Sequence, residues 1–238
     1  MTGDAARRTG CAMLEPAGGG NVADPGVHPG ERESYRILRS RIDLSRLPPI
    51  GRAVTERVIC ATADFDYATD LVRTEPALAA GVAALAAGAP MVADAAMVAT
   101  GITERPVICK GDDPLTIRLA RVTGISRPAA AVRLAFSEVG PGAVWVVGCA
   151  RDALAEIMRR GTEPALVIGV PVGLDGAAEV KAALRASGLP SLTNTSPKGG
   201  AAVAAAAASA LLRLAAVSAG SVPVGPPEVI PDNPDPER

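Results

Sequence analysis

AVWVVGCARDALAEIMRR, residues 143–160, is the stretch that decides the fold. Residues 143–147 are apolar without interruption and stop at Gly148, which reads as a buried strand. Residues 151–160 follow with helical patterning. The same couplet recurs downstream, as a strand over 165–170 with a helix over 176–187, and a strand over 189–193 with a helix over 199–217. Continuous apolar strands alternating with helices imply a parallel sheet covered on both faces. The expected class is therefore α/β: one domain with a doubly wound, mainly parallel sheet. Upstream the pattern is less regular. Helices are expected over 31–42, 52–59, 66–72, 76–87, 95–100, 114–122 and 128–136, and short strands over 90–93 and 107–109. No internal repeat is visible.

Both ends have a different composition. Residues 1–30 are rich in Gly, Pro and small polar residues, and 219–238 form a Pro-rich tail. Such segments bury too little apolar surface to offset ordering entropy, so the leader is expected to be flexible, the tail disordered, and the folded body to span 31–218. The leader has no apolar run of the kind a secretory signal needs. The apolar stretch 201–214 is mostly Ala and ends near Arg213. It falls short of the roughly 20 strongly apolar residues of a spanning helix, so a buried Ala-rich helix and no membrane contact are expected.

The 238 residues carry a formal net charge of −1, which argues against a nucleic-acid partner, since that needs a clustered basic face. Aromatic residues make up only 2%, so the core must be Ala, Val, Leu and Ile. The basic residues are nearly all Arg; the lysines are Lys110, Lys181 and Lys198. Arginine's planar fork suits carboxylates, although a solvated Arg-rich surface has the same composition. The four cysteines, Cys11, Cys60, Cys109 and Cys149, are widely spaced and form neither a zinc pattern nor a disulfide framework. Reduced thiols in a cytoplasmic protein are expected.

Ligands of open parallel sheets gather at the carboxyl ends of the strands. Three glycine-rich turns belong there: Gly148-Cys149-Ala150, Gly169-Val170-Pro171-Val172-Gly173 and Asn194-Thr195-Ser196-Pro197-Lys198-Gly199-Gly200. Each is followed directly by a helix, whose free N–H groups and dipole favour anions, and Lys198 adds a full charge. Close packing alone also produces such turns. No GxGxxG follows the first strand and no GxxxxGK[ST] is present, which excludes the dinucleotide and P-loop signatures. The only histidine, His28, sits in the leader, so a Ser-His-Asp or Cys-His arrangement has no base in the folded body. No metal-ligand cluster is apparent. Asp64 and Asp66 are two apart and would diverge on a helix; Asp64 is expected to be exposed or to cap the helix after it.

Six segments, in order and spacing, resemble the precorrin-8X methylmutase (precorrin isomerase) family over about 31–212. They are Glu33-Ser34-Tyr35-Arg36-Ile37-Leu38-Arg39 with Asp43-Leu44; VICATADFDYATDL (58–71) with Glu56-Arg57 before it; Ala89-Pro90-Met91-Val92-Ala93-Asp94 with Met97-Val98 and Gly101-Ile102; Ser126-Arg127-Pro128 with the alanines that follow; Gly169-Val170-Pro171-Val172-Gly173 with Ala178-Glu179; and Pro197-Lys198-Gly199-Gly200. The resemblance implies a cytoplasmic homodimer and a step of cobalamin biosynthesis without a cofactor. A methyl group migrates from C11 to C12 of the ring of precorrin-8X, or its cobalt form, giving hydrogenobyrinate or cobyrinate. It implies an acid-assisted shift in which a histidine protonates the macrocycle. It further implies substrate contacts at Ser34, Arg39, Asp94, Arg127, Lys198, Gly199 and Gly200, with Asp94 also suited to capping a helix. The tetrapyrrole carries many carboxylates, which suits helix N-termini and arginines at one sheet edge.

The chain departs from the family pattern at its catalytic position. The family's Val-Ile-His-Ala-Thr-Ala-Asp reads Val58-Ile59-Cys60-Ala61-Thr62-Ala63-Asp64 here, placing Cys60 where the histidine belongs. Residues 148–154 also replace the family's Gly-Asn-Ala-Pro-Thr-Ala-Leu. A thiol with a reference pKa near 8.5 is mostly protonated at pH 7 and can still act as an acid, although it is shorter than imidazole and a weak donor. Three readings follow. The protein is a methylmutase working with Cys60 or by positioning alone; or it is a catalytically impaired homologue that binds or carries the corrin product; or it is a thiol-nucleophile enzyme, which lacks a base beside Cys60.

Overall fold

The computed structural model describes residues 29–220. His28, Cys11, and nearly all of the expected leader and tail lie outside the described residues. In chain order the elements are α1 (Pro29–Arg41), α2 (Pro49–Thr62), α3 (Tyr67–Asp70), β1 (Leu71–Arg73), α4 (Glu75–Ala86), β2 (Met91–Ala93), α5 (Ala96–Thr100), β3 (Ile108–Cys109), α6 (Pro114–Thr123), α7 (Arg127–Val139), β4 (Val144–Val147), α8 (Arg151–Arg160), β5 (Leu166–Gly169), α9 (Ala177–Ala186), β6 (Ser191–Asn194) and α10 (Ala201–Ser218). Helix starts follow local chemistry. Thr74, Asp113 and Ser126 each accept a backbone N–H from the first turn of their helix, and proline occupies N1 or N2 of α4, α6 and α7.

The strands form one sheet in the order β1-β6-β5-β4-β2-β3, parallel except where β1 runs antiparallel to β6. Side chains alternate across it. Val144 and Val146 face one layer, with Leu166, Ile168 and Leu192, packed against α2, α4 and α10. Trp145 and Val147 face the other, packed against Val132 of α7, Leu154 and Ile157 of α8, and Leu184 of α9. The doubly wound α/β architecture expected from residues 143–160 is thus present. The apolar stretch near 201–214 is the core helix α10, long and apolar enough to cross a membrane by length and composition. Its residues from Val203 to Leu212 are buried in the fold.

One expected element is absent. Residues 66–72 are not a single helix: α3 ends at Asp70 and Leu71–Arg73 form the edge strand β1. Three residues carry too little periodicity to be read as a strand. Their conformation is set by the partner β6, which pairs Leu71 with Asn194 and Arg73 with Leu192. Because β1 is antiparallel, its first residue lies at the carboxyl edge of β6. That brings the whole 58–71 stretch to the ligand edge of the sheet.

β2 leads to β3 on one side, whereas β4 leads to β5 and β6 on the other. The switch point, where a ligand crevice opens in such sheets, therefore lies between β2 and β4. Gly148 stands at this point with α10 pressed on it. A Cβ there would lie 2.9 Å from Ala204 Cβ and 3.0 Å from the Gly200 oxygen.

Leu166 is fully buried between the layers and Leu174 is 97% exposed. Leu166→Ala is expected to cost about 2–5 kcal/mol, and Leu174→Ala less than about 0.5 kcal/mol, in urea unfolding. Equal effects would contradict this layer assignment.

Candidate active site

The three glycine-rich turns and the end of α2 converge at the carboxyl edge of the sheet. α2 is closed by Ala63, whose left-handed backbone (φ 55°) lets its N–H return to the Ile59 oxygen at 2.7 Å. The chain then turns through Asp64 and Asp66 towards the β6–α10 turn. Lys198 Nζ reaches Asp64 Oδ2 at 2.8 Å and also Asp66 Oδ2. The two acids thus close on one cation instead of diverging. Asp64 is not the N-cap of α3; that position belongs to Asp66, whose N–H donates to Asp64 Oδ1 at 3.0 Å. These hydrogen bonds hold Lys198 above the usual lysine range and Asp64 below the usual carboxylate range.

The turn itself is fixed from below by Asp70. Its carboxylate accepts five hydrogen bonds: from Asn194 Nδ2 (2.8 Å), the Ser196 hydroxyl (2.6 Å), the Thr195 hydroxyl, and the Thr195 and Ser196 N–H groups at 3.0 and 2.8 Å. Burial pushes the acid's pKa up, but these donors outweigh it and hold the acid far below the carboxylate range. Lys181 Nζ, fully buried on α9, donates to Asn194 Oδ1 (2.9 Å) and to the Ser196 and Lys198 oxygens. Gly199, at φ 147°, passes so close to β5 that a Cβ would sit 2.1 Å from the Val170 oxygen. Only glycine fits there, and Gly200 then donates its N–H to that same oxygen before α10 begins.

Cys60 occupies the last turn of α2, half-buried against the inner layer. One turn earlier Glu56 is buried and gripped by Arg39 through two bonds of 3.1 and 2.9 Å, and by Arg52 at 3.0 Å. The Arg39 guanidinium also lies over the Tyr35 ring, 5.7 Å from its centre. Burial, followed by the Glu56 charge and against the pull of Arg57, pushes the Cys60 thiol above the ordinary thiol range. A thiolate is therefore disfavoured, which weighs against the thiol-nucleophile reading and leaves a protonated group at neutral pH.

Asp94 follows β2 into the switch-point crevice. Its carboxylate accepts the N–H groups of Gly148, Cys149 and Ala150 at 3.1, 2.8 and 2.7 Å. The anion position at the head of α8 is thus filled by the protein's own acid. Burial raises its pKa, against the opposing effect of those three donors. Beside it, an open groove of about 300 Å³ runs between Cys149 and Ala150 on one side and Val172 and Asp175 on the other. Arg127 lies at the far end of the edge, on the first residue of α7, paired with Asp112 at 3.0 Å while both stay exposed. Ser34 is exposed on α1.

The sequence-expected residues therefore fall into three places. Cys60, Lys198, Gly199 and Gly200 share the β6 end, with Ser34 and Arg39 on α1 flanking α2. Asp94 sits at the centre. Arg127, paired with Asp112 just after β3, stands towards the other end of the edge, with three strands between β3 and β6. Asp70 and Lys181 were not singled out from the sequence. A signal for Lys181 existed: Ala177, Lys181 and Leu184 share the buried face of α9, which puts one of the chain's few lysines on an apolar stripe.

Fold and site define an α/β protein with one ligand edge, bearing the ion-paired cations Lys198 and Arg127, with apolar residues such as Val172 and Leu174 exposed along it. The Precorrin-8X methylmutase family model matches residues 30–214. The cobalt-precorrin-8 methylmutase of Methanocaldococcus jannaschii is 34% identical over 190 residues, covering 78% of this chain and 89% of that one. A precorrin-8X methylmutase from a Sinorhizobium species is 38% identical over 192 residues, covering 76% and 91%. The crystal structure of a precorrin-8x methyl mutase from Thermus thermophilus superposes with a TM-score of 0.73 at 34% identity, covering 79% of this chain and 96% of that one. The chain belongs to the precorrin-8X methylmutase family.

Asp70→Asn keeps the shape but removes the charge from five donors. A loss of about 1–3 kcal/mol at pH 7 is expected. Because the folded-state pKa of Asp70 is depressed, its contribution is complete above the unfolded value near 4 and declines as pH falls below it. The gap between wild type and variant in chemical unfolding should therefore shrink from pH 4 downwards; a gap independent of pH would contradict the assignment. Alkylation of Cys60 should show a pH midpoint above about 8.5, the value of an unperturbed thiol. A midpoint below it would reverse the reading of its environment.

Proposed function

We propose that this protein is a precorrin-8X methylmutase, an isomerase of cobalamin biosynthesis. It moves a methyl group from C11 to C12 of precorrin-8X or its cobalt form, giving hydrogenobyrinate or cobyrinate. The observation that carries this reading is the family match across residues 30–214, at 34–38% identity to enzymes of that name. The site is consistent with it. A flat macrocycle edged with carboxylates suits an edge with Lys198 and the N-terminus of α10 at one end and Arg127 towards the other. The protein is proposed to act in the cytoplasm as a homodimer.

Cys60 is the proposed acid. Its raised pKa keeps the proton on sulfur at neutral pH. Donation to the ring rearranges the double bonds so that the C11 methyl can migrate, and the proton then returns to the thiolate, leaving an isomer with no net change in atoms. Ser34, Arg39, Lys198, Gly199, Gly200 and Arg127 are proposed to contact the substrate, with Arg39 also holding Glu56 beneath Cys60. Asp94 is proposed to shape the crevice by holding the 148–150 turn.

The test is turnover of precorrin-8X by the purified protein, followed by the absorbance of the corrin product. Wild type is expected to convert it and Cys60→Ala to be slower. Cys60→His is expected to be faster by about 10²–10⁴-fold, the usual contribution of a well-placed acid. No turnover by wild type together with tight binding of hydrogenobyrinate would overturn the enzymatic reading in favour of a corrin-binding protein.

A further inference from the structure

Lys181 takes no part in the proposed proton transfer, yet it is fully buried and all three of its ammonium protons are used. They go to Asn194 Oδ1 and to the main-chain oxygens of Ser196 and Lys198. Two of these acceptors are carbonyls of the turn that presents Lys198 and the head of α10. Asn194 passes the connection on: its Nδ2 donates to Asp70 Oδ2 and to the Lys198 oxygen at 3.0 Å. A buried ammonium is costly unless its donors are matched, and a core position on α9 would be filled more cheaply by Leu or Met. The charge is spent on holding three oxygens of one turn together, which no apolar side chain can do.

We infer that Lys181 is a positioning residue for the reaction: from inside the core it sets the conformation of the 194–200 turn and so the affinity of the substrate-side Lys198 and α10 N-terminus for the corrin carboxylates. This inference rests on the proposed function for the identity of the ligand. Its mechanism is independent of Cys60.

A consequence is a pH limb on binding. Burial lowers the Lys181 ammonium to about 8. Below that pH three N–H groups meet three acceptors; above it two N–H groups remain and a lone pair faces an oxygen. The other charged groups against this turn are Asp70 on α3, Arg185 on α9, whose Nη1 donates to the Asn194 oxygen at 2.8 Å, and Lys198 with its partners Asp64 and Asp66. Asp70 and Asp64 are held below the carboxylate range and Lys198 above the lysine range, so these three keep their charge between pH 7 and 9.5. Burial holds the Cys60 thiol above the ordinary thiol range, and its proton bears on kcat.

The experiment combines hydrogenobyrinate binding with amide hydrogen exchange on the full chain. In Lys181→Met, which keeps the volume and removes all three donors, the Kd for hydrogenobyrinate is expected to rise about tenfold, as the displaced turn loses the equivalent of one charge-assisted bond to the ligand. KM for precorrin-8X should rise likewise while kcat changes less than about threefold. Exchange should accelerate across 194–203 and stay unchanged across α8. In wild type the Kd should climb between pH 7 and 9.5 with the same local loss of protection, after correction for the intrinsic rate. An unchanged Kd and exchange in the variant, or acceleration spread evenly over the chain, would overturn the inference. If Lys181→Met does not fold, the wild-type pH series decides alone, and a flat series is the contrary result. Absence of turnover in wild type would count against the proposed function only. Absence of product binding would leave exchange to decide on Lys181.

Discussion

The Asp70 carboxylate is the point on which the ligand edge depends. It stands between two segments that are distant in sequence, the 58–71 stretch and the β6–α10 turn, and accepts five hydrogen bonds from the latter. Without it, β1 would be a three-residue edge strand with little to hold it, and the end of α2 would have no fixed relation to Lys198. With it, Cys60, the Asp64–Asp66–Lys198 cluster and the head of α10 become one unit. Each donor to Asp70 is itself turn backbone or a side chain of the turn. The network therefore specifies a conformation as much as it stabilises one.

The same logic explains how acids are used along this edge. A bare parallel sheet offers several anion sites in the turns and helix N-termini at its carboxyl edge, but the protein fills two of them itself. Asp94 takes the donors of the β4–α8 turn and Asp70 those of the β6 turn. Open to a ligand is the first turn of α10, where Gly200 provides no side-chain cap, with the cation Lys198 beside it; α9 likewise starts at the uncapped Gly176. Lys198 is not idle before a ligand arrives: two carboxylates hold it. A substrate carboxylate therefore exchanges one anionic partner for another, a modest electrostatic gain at a partly exposed site. Selectivity then comes from geometry, which is why the buried brace beneath the turn matters.

Much of this was legible in the sequence. The unbroken apolar strands and their trailing helices give the doubly wound class, because burial on both faces leaves no alternation to misread. The glycine-rich turns place the ligand edge, since strand–turn–helix order is visible in composition. The edge strand was not legible: Leu71–Arg73 take their conformation from β6, a contact more than a hundred residues away. For the same reason Asp64 and Asp66 looked divergent on a local helix, while in space they converge on Lys198. Asp70 sat unnoticed among the acids of its stretch because only its distant partners distinguish it. Asp94 was suited either to a ligand or to a helix. Its three backbone donors show that its oxygens are already engaged, which neither composition nor spacing could reveal.

Cys60 stands at the centre of the functional account, since its burial and the buried Glu56 one turn away keep it in the acid form that the proposed chemistry needs. The most direct test is a crystal structure of the protein with hydrogenobyrinate bound. Expected is a ring lying across the carboxyl edge, with a carboxylate on Lys198 and the α10 N-terminus, and the C11–C12 edge within van der Waals contact, about 4 Å, of Cys60 Sγ. A ring seated away from Cys60, or with its C11–C12 edge turned to the opposite end of the groove, would contradict it.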